Sequence, residues 1–411
     1  MVLKADIEKA YKAQQQQLKV DAKNIGRFYL EDYKPDKKHI EVITGIRRCG
    51  KSTLMKQIIR RFYRNAAFFN FEDSRIFGFE VHDFQKLDEL IPQGVDAYFF
   101  DEIQNVDSWE IYIRQLHDRG AKVYITGSNA SLLSKELGTR LTGRHLRHEM
   151  FPFSFTEFLL FTKQKVSVGS CEQYLTAGGF PEYLTAQNPE VLQTLLKDIV
   201  LRDIAIRHGI RNTKALMDIT LFLLSNIGKE CSYNSLKKNF GIGSANTTSD
   251  YLSWLEDAYL FFFLPRFSWS AKNIAVNPRK VYAIDNGMVN ANTLSFADDK
   301  GRLLENAVYL YLRQQNYDLY YYREDKECDF VVFENKKCKM LIQVCWEMNG
   351  DTKMREIDGL LNAMEFFKKD EGTIITFNQR DTLRVNGNTI NLIPAFDFLE
   401  TGHALSLRCM D

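Results

Sequence analysis

Eight consecutive residues, Gly45-Ile46-Arg47-Arg48-Cys49-Gly50-Lys51-Ser52, satisfy the pattern GxxxxGK[ST]. Each part of the pattern suits a phosphate chain. The glycines let backbone N–H groups curl around oxygens, a lysine at Lys51 reaches the β and γ oxygens, and a hydroxyl at Ser52 can ligate magnesium. A strand is expected before the loop (Ile40–Thr44) and a helix after it (Thr53–Tyr63), so the helix would aim its positive end at the anion. Fifty residues beyond Lys51, Ala97-Tyr98-Phe99-Phe100-Asp101-Glu102 reads as a buried strand ending in two carboxylates. Ligands of parallel α/β sheets bind at that end of the strands. Asp101 is therefore the expected metal ligand beside Ser52, and Glu102 the group that orients or deprotonates an attacking water.

Weaker candidates surround this pair. The strand Val123–Thr126 ends in Gly127-Ser128-Asn129, which either places Ser128 beside a γ-phosphate or caps the next helix. Arg140 and Arg144 either offer positive charge to a transition state, in their own subunit or a neighbour's, or are plain surface arginines. The residues expected to line a nucleotide are Gly45, Arg48, Cys49, Gly50, Lys51, Ser52, Thr53 and Ser128. Lys51, Glu102 and Arg144 are the expected catalytic groups, and ATP with Mg2+ the expected ligands.

The elements that must hold these residues alternate strand and helix from His39 to about Phe151, which implies a parallel sheet covered on both faces. Residues 1–38 read as a polar helical extension, and 153–230 as helices, from apolar pairs such as Leu192, Leu195 and Leu196. Between 231 and 290 a short helix, a Gly241-Ile242-Gly243-Ser244 turn, a longer helix and an aromatic strand pair follow the order of a winged helix. Its reading helix, however, carries no Lys or Arg and includes Asp250, Glu256 and Asp257. That composition suits packing better than a DNA groove. Residues 291–411 form a last α/β unit.

At 411 residues the chain exceeds one ordinary core. Lys plus Arg (54) balance Asp plus Glu (53), so no global field draws it to nucleic acid or an anionic surface. The apolar stretches are far short of the ~20 residues of a bilayer span, and Lys4, Asp6, Glu8 and Lys9 break up any leader-like segment. Seven dispersed cysteines with no CxxC argue against a zinc site or a disulfide framework and fit a reducing cytoplasm.

GIRRCGKST, FFDEIQ, ITGSNASLLSKEL, LTGR and FPFSFTEF together resemble a family of prokaryotic AAA-like P-loop ATPases. AGGFPEYL, KVYAIDNGM and LLENAVYLYL…ECDFVVF…LIQVCW extend the resemblance over nearly the whole chain from about residue 25. It implies ATP binding, with a C-terminal part of unknown function. In that part Glu305 on a helix, Asp329 on a strand and Gln343-Val344-Cys345 on the next strand are similar to a restriction-endonuclease-like site. Cys345 stands where that site carries its lysine, and Lys353 could reach in from the following helix. The favoured reading is a scaffold with an incomplete charge set. An ATP-regulated nucleic-acid enzyme and a nucleotide-dependent protein-binding switch stay open as alternative classes. So do a nucleic-acid or protein partner and a homo-oligomer.

Overall fold

A computed structural model describes residues 1–19, 26–27, 33–36, 38–128, 141, 143–293 and 299–400. The chain divides into two compact units, Met1–Phe151 with Asp257–Tyr259, and Pro152–Glu256 with Leu260–Asp411.

The first unit is built on a five-stranded sheet of order β2-β3-β4-β1-β5. Its strands are β1 (Ile40–Gly45), β2 (Ala66–Asn70), β3 (Ala97–Asp101), β4 (Val123–Gly127) and β5 (His145–Met150). Every pairing is parallel. The central strands read as continuous apolar runs because both of their faces are covered; Val42, Ile43, Phe99, Phe100, Tyr124 and Ile125 are all buried. Phe99 stacks on Tyr124 at 4.4 Å between ring centroids, tying β3 to β4 beyond their backbone ladder. Helices α2 (Lys51–Phe62), α3 (Phe84–Asp88) and α4 (Trp109–Asp118) cover the sheet.

Helix α1 (Lys4–Lys19) belongs to this core instead of extending from it. Ile7, Ala10 and Tyr11 are buried among the residues of β2 and α3. Gln14 donates to the Asn70 carbonyl at 3.2 Å and accepts from the Asn70 amide at 2.8 Å, so it satisfies backbone groups at the sheet's outer edge.

The second unit begins with α5 (Phe155–Thr162), α6 (Val168–Ala177), α7 (Pro181–Ala186), α8 (Glu190–Asp198) and α9 (Thr213–Leu224). Between α8 and α9 the chain winds as a π-helix over Ile199–Ile206. A three-stranded antiparallel sheet follows, order β6-β8-β7, from β6 (Glu230–Cys231), β7 (Phe261–Pro265) and β8 (Arg279–Ala283). Helices α10 (Tyr233–Phe240) and α11 (Ala245–Asp257) precede β7, and the short α12 (Ala271–Val276) separates β7 from β8. After α13 (Asn286–Asn292), helix α14 (Lys300–Gln314) leads to a six-stranded mixed sheet of order β13-β14-β12-β11-β10-β9. Its strands are β9 (Asp318–Arg323), β10 (Glu327–Glu334), β11 (Lys337–Cys345), β12 (Glu371–Thr376), β13 (Asp381–Val385) and β14 (Asn388–Pro394). Helix α15 (Gly350–Phe367) crosses from β11 to its parallel neighbour β12, and α16 (Ala395–Glu400) follows β14.

One close approach explains part of the motif at 177–184. The Gly179 amide donates to Asp285 Oδ2 at 2.6 Å, and its carbonyl accepts from the Phe153 amide at 2.8 Å. A Cβ at Gly179 would lie 2.1 Å from the Phe153 carbonyl oxygen, so only glycine fits. Gly179→Ala should therefore destabilise the second unit by about 3 kcal/mol, read as a lower urea midpoint.

Candidate nucleotide site

The phosphate-loop residues join β1 to α2 at the carboxyl edge of the first sheet. Gly45 pairs with Met150, and a Cβ on it would meet the Met150 carbonyl oxygen at 2.1 Å. Arg48 (φ 63°) and Gly50 (φ 104°) take the left-handed backbone that curls the loop. Helix α2 begins at Lys51 with no acidic residue in its first turn, so nothing there neutralises its positive end. Cys49 is wholly buried below the loop, and burial pushes its thiol up, which makes it a packing group.

Lys51 folds back into this curl. Its Nζ donates to the carbonyls of Gly45 and Ile46, each at 3.2 Å, and lies 3.5 Å from Glu102 Oε1. Burial opposes the ammonium, yet the Glu102 charge, with Cys49 and Asp101, holds its pKa above the usual lysine range. Burial likewise works against the Glu102 carboxylate, but Lys51 and a hydrogen bond from Gln104 outweigh it and keep that group below the usual range.

Asp101 ends β3 with no exposed surface. Burial, then the Glu102 charge, push its carboxyl above the usual range, while hydrogen bonds from Ser52 and Thr126 work in the opposite direction. Thr126 Oγ1 donates to Asp101 Oδ1 at 2.6 Å and accepts from the Glu102 amide at 2.9 Å. Asn70 Nδ2 donates to the other oxygen, Oδ2, at 2.9 Å. The Ser52 hydroxyl and the Asp101 carboxylate, facing each other in a buried polar edge, are hard oxygen donors of the kind Mg2+ takes.

Glu102 itself adopts a left-handed backbone (φ 52°), uncommon away from glycine, which turns the chain sharply after β3. Gln104 Nε2 donates to Glu102 Oε2 at 2.5 Å and approaches Ser128 Oγ at 3.4 Å. Lys51, Ser52, Asp101, Glu102 and Ser128 are thus gathered around one edge.

Arg144 is not gathered with them. It immediately precedes β5, and its carbonyl accepts from the Ile40 amide at 2.8 Å, at the amino edge of the sheet. The loop starts at Gly45, at the far end of β1, so the separation is roughly 17 Å at ~3.3 Å per residue. Its guanidinium Nη1 lies 3.4 Å from Asp118 Oδ1. A role for Arg144 at its own chain's loop is ruled out by strand direction. Arg140 and Asn129 lie outside the described residues.

Thr126, Asn70 and Gln104 are site residues that the motif search missed. Asn70, Asp101 and Thr126 each follow an apolar run near the carboxyl end of neighbouring parallel strands, and Asn70 pairs with Asp101. Reading the polar terminators of all the strands together would have found two of them. Arg27 was missed as well. It is buried, and its Nη2 donates to the Phe151 carbonyl at 2.6 Å.

The second unit brings together only part of the other constellation. Glu305 on α14 and Asp329 on β10 meet across Lys280 of β8, at 3.1 Å and 2.8 Å from its Nζ. Gln343 Oε1 accepts from the Asp329 amide at 3.1 Å, and its amide nitrogen donates to Glu356. Cys345 Sγ turns to the Glu347 carbonyl at 3.1 Å. Lys353, the candidate substitute lysine, is exposed.

The first sheet and its edge define a P-loop domain of AAA type. Comparison with known proteins supports that reading: the family described as AAA domain matches residues 37–159. Two families described as domains of unknown function, DUF8612 and DUF4143, match 169–299 and 300–397. An uncharacterized protein of Methanocaldococcus jannaschii is 36% identical over 389 residues, covering 86% of this chain and 87% of its own. An uncharacterized protein of Haemophilus influenzae is 31% identical over 389 residues, covering 89% and 95%. The chain belongs to the family of these proteins, and in this chain the AAA domain is followed by the two domains of unknown function. Among solved structures, a Signal Transduction ATPase with Numerous Domains from Pyrococcus horikoshii aligns with a TM-score of 0.28 at 16% identity. That alignment covers 71% of this chain and 46% of the other, so the chain spans less than half of its length. A score that low carries no weight beside the sequence matches. Among the described residues no helix is long and apolar enough to cross a membrane.

Thr126→Val keeps the shape of β4 and removes the hydroxyl that holds both carboxylate residues. ATP turnover by that variant should fall roughly 10-fold or more, and its melting temperature should drop by several degrees, because the buried Asp101 carboxylate loses a donor.

Proposed function

We propose that the chain binds ATP with magnesium at Gly45–Ser52 and hydrolyses it, using turnover to drive conformational change between its parts. The observation that carries this reading is the convergence of Lys51, Ser52, Asp101 and Glu102 on one sheet edge, with Lys51 Nζ 3.5 Å from Glu102 and Ser52 acting on the Asp101 carboxyl. Ser52 and Asp101 would hold the magnesium, which when bound neutralises charge developing on the phosphates. Lys51 would exchange the carbonyls of Gly45 and Ile46 for β and γ oxygens. That exchange also draws its ammonium from Glu102, leaving the carboxylate to position and deprotonate water while Gln104 fixes its orientation. Ser128, which Gln104 approaches, would report on the γ-phosphate. If Arg144 contributes charge to a transition state, it does so at a neighbouring subunit's site.

For the remainder of the chain, we read α10, α11 and the sheet β6-β8-β7 as a winged-helix-like module in which α12 interrupts the wing. The succession α14-β9-β10-β11-α15-β12 follows the order of a nuclease-like core. The acidic face of α11 favours packing or a protein partner over a DNA groove.

Lys51→Ala should abolish ATP binding in a calorimetric titration. Glu102→Gln should bind ATP with near-normal affinity and turn it over roughly 100-fold or more slowly in a phosphate-release assay. Unimpaired turnover in Glu102→Gln would remove Glu102 as the base.

A further inference from the structure

The acidic cluster of the second unit already holds a cation, and the cation is a side chain of the same chain. Lys280 Nζ sits 2.7 Å from Glu327 Oε1, 2.8 Å from Asp329 Oδ1 and 3.1 Å from Glu305 Oε1. It reaches them from β8, in a different sheet from Glu327 and Asp329. Two further donors reach the cluster. Tyr282 donates its hydroxyl to Glu305 Oε1 at 2.7 Å, and the Val344 amide donates to Asp329 Oδ2 at 2.9 Å. The lysine exposes 3% of its side chain, Asp329 8% and Glu305 13%, so water does little to screen the attraction. Burial works against the ammonium, yet Asp329 and Glu305 hold its pKa well above the usual range.

A nuclease-like core implies a divalent metal held by Glu305 and Asp329. The residues present do not fit one. A metal bridging those carboxylate oxygens at about 2.1 Å would lie within roughly 3 Å of Nζ, so the ammonium and the metal compete for the same oxygens. Gln343 faces the Asp329 amide and Glu356, so it supplies no further anionic ligand. We propose that Lys280 occupies the metal's place, making this centre a closed ionic lock that joins β8 to α14 and β10 and carries no metal-dependent chemistry. The boundary between the two families of unknown function falls between Lys280 and Glu305, so the lock needs residues from both. It does not depend on the ATPase reading.

Metal binding separates this lock from an ordinary buried salt bridge. The test uses the full chain without nucleotide, in a Lys51→Ala background, with Mn2+ as the probe by electron paramagnetic resonance and by thermal unfolding. Lys280→Ala should lower the melting temperature by roughly 10 °C, since it leaves buried carboxylates uncompensated. It should also gain one Mn2+ site, with Mn2+ restoring much of the lost stability, and adding Asp329→Asn should abolish that gain. Lys280 present, no Mn2+ binding should depend on Asp329, and neither DNA nor RNA should be cut. Mn2+ binding or nuclease activity in the Lys280 protein that Asp329→Asn removes would overturn the proposal. So would a folded Lys280→Ala protein that gains no site. Should Lys280→Ala not fold, Lys280→Met keeps the bulk of the stem, and the Asp329→Asn comparison with Lys280 intact decides on its own.

Discussion

The arrangement of the first unit depends on keeping one fully buried carboxylate, Asp101, supplied with hydrogen bonds. A desolvated carboxylate without partners costs several kcal/mol and would take up a proton instead. Here two neighbouring strands each provide a donor, Thr126 from β4 and Asn70 from β2, and Ser52 of α2 favours the charged form as well. The order β2-β3-β4 is what brings two of those donors alongside β3. The position of α2 follows from the curl of the loop, which in turn requires glycine where Met150 crowds Gly45. The local chemistry and the sheet order are therefore one constraint seen at two scales.

Electrostatics next to Asp101 follow the same logic. Two adjacent carboxylates in a low-dielectric edge repel, and the structure separates their fates. Lys51 stands nearer to Glu102, which stays ionised, while Asp101 is pushed upward by burial and by its neighbour. A divalent cation beside Ser52 would relieve that pressure on Asp101. The second unit meets a comparable demand with Lys280, a cation that cannot leave.

Much of the first unit was legible in the sequence because its strands are apolar on both faces and bounded by turn residues. β1, β3 and β4 fall within a residue or two of the runs read from composition alone. The loop and the Asp101-Glu102 pair were legible because their chemistry is local. What was not legible was non-local. The Gln-rich α1 looked like an extension, since three buried apolar residues among polar ones give only a thin stripe. Arg144 was legible in principle, because a residue that opens a parallel strand cannot sit at the edge where its neighbour closes. β13 and β14 went unread although Asn386-Gly387, both at positive φ, form a common hairpin signal. Lys280 carries no signal of its role in the sequence. Nothing in its flanking sequence distinguishes a buried lysine, and the carboxylates that receive it come from α14 and β10.

The most direct measurement is the equilibrium affinity for ATP with Mg2+ and with EDTA, in the unaltered chain and in Asp101→Asn. Magnesium should strengthen binding by the unaltered chain roughly 10-fold or more and do little for the variant. Equal affinity in all four conditions would contradict the assignment of Ser52 and Asp101 as the place where the metal and the nucleotide meet.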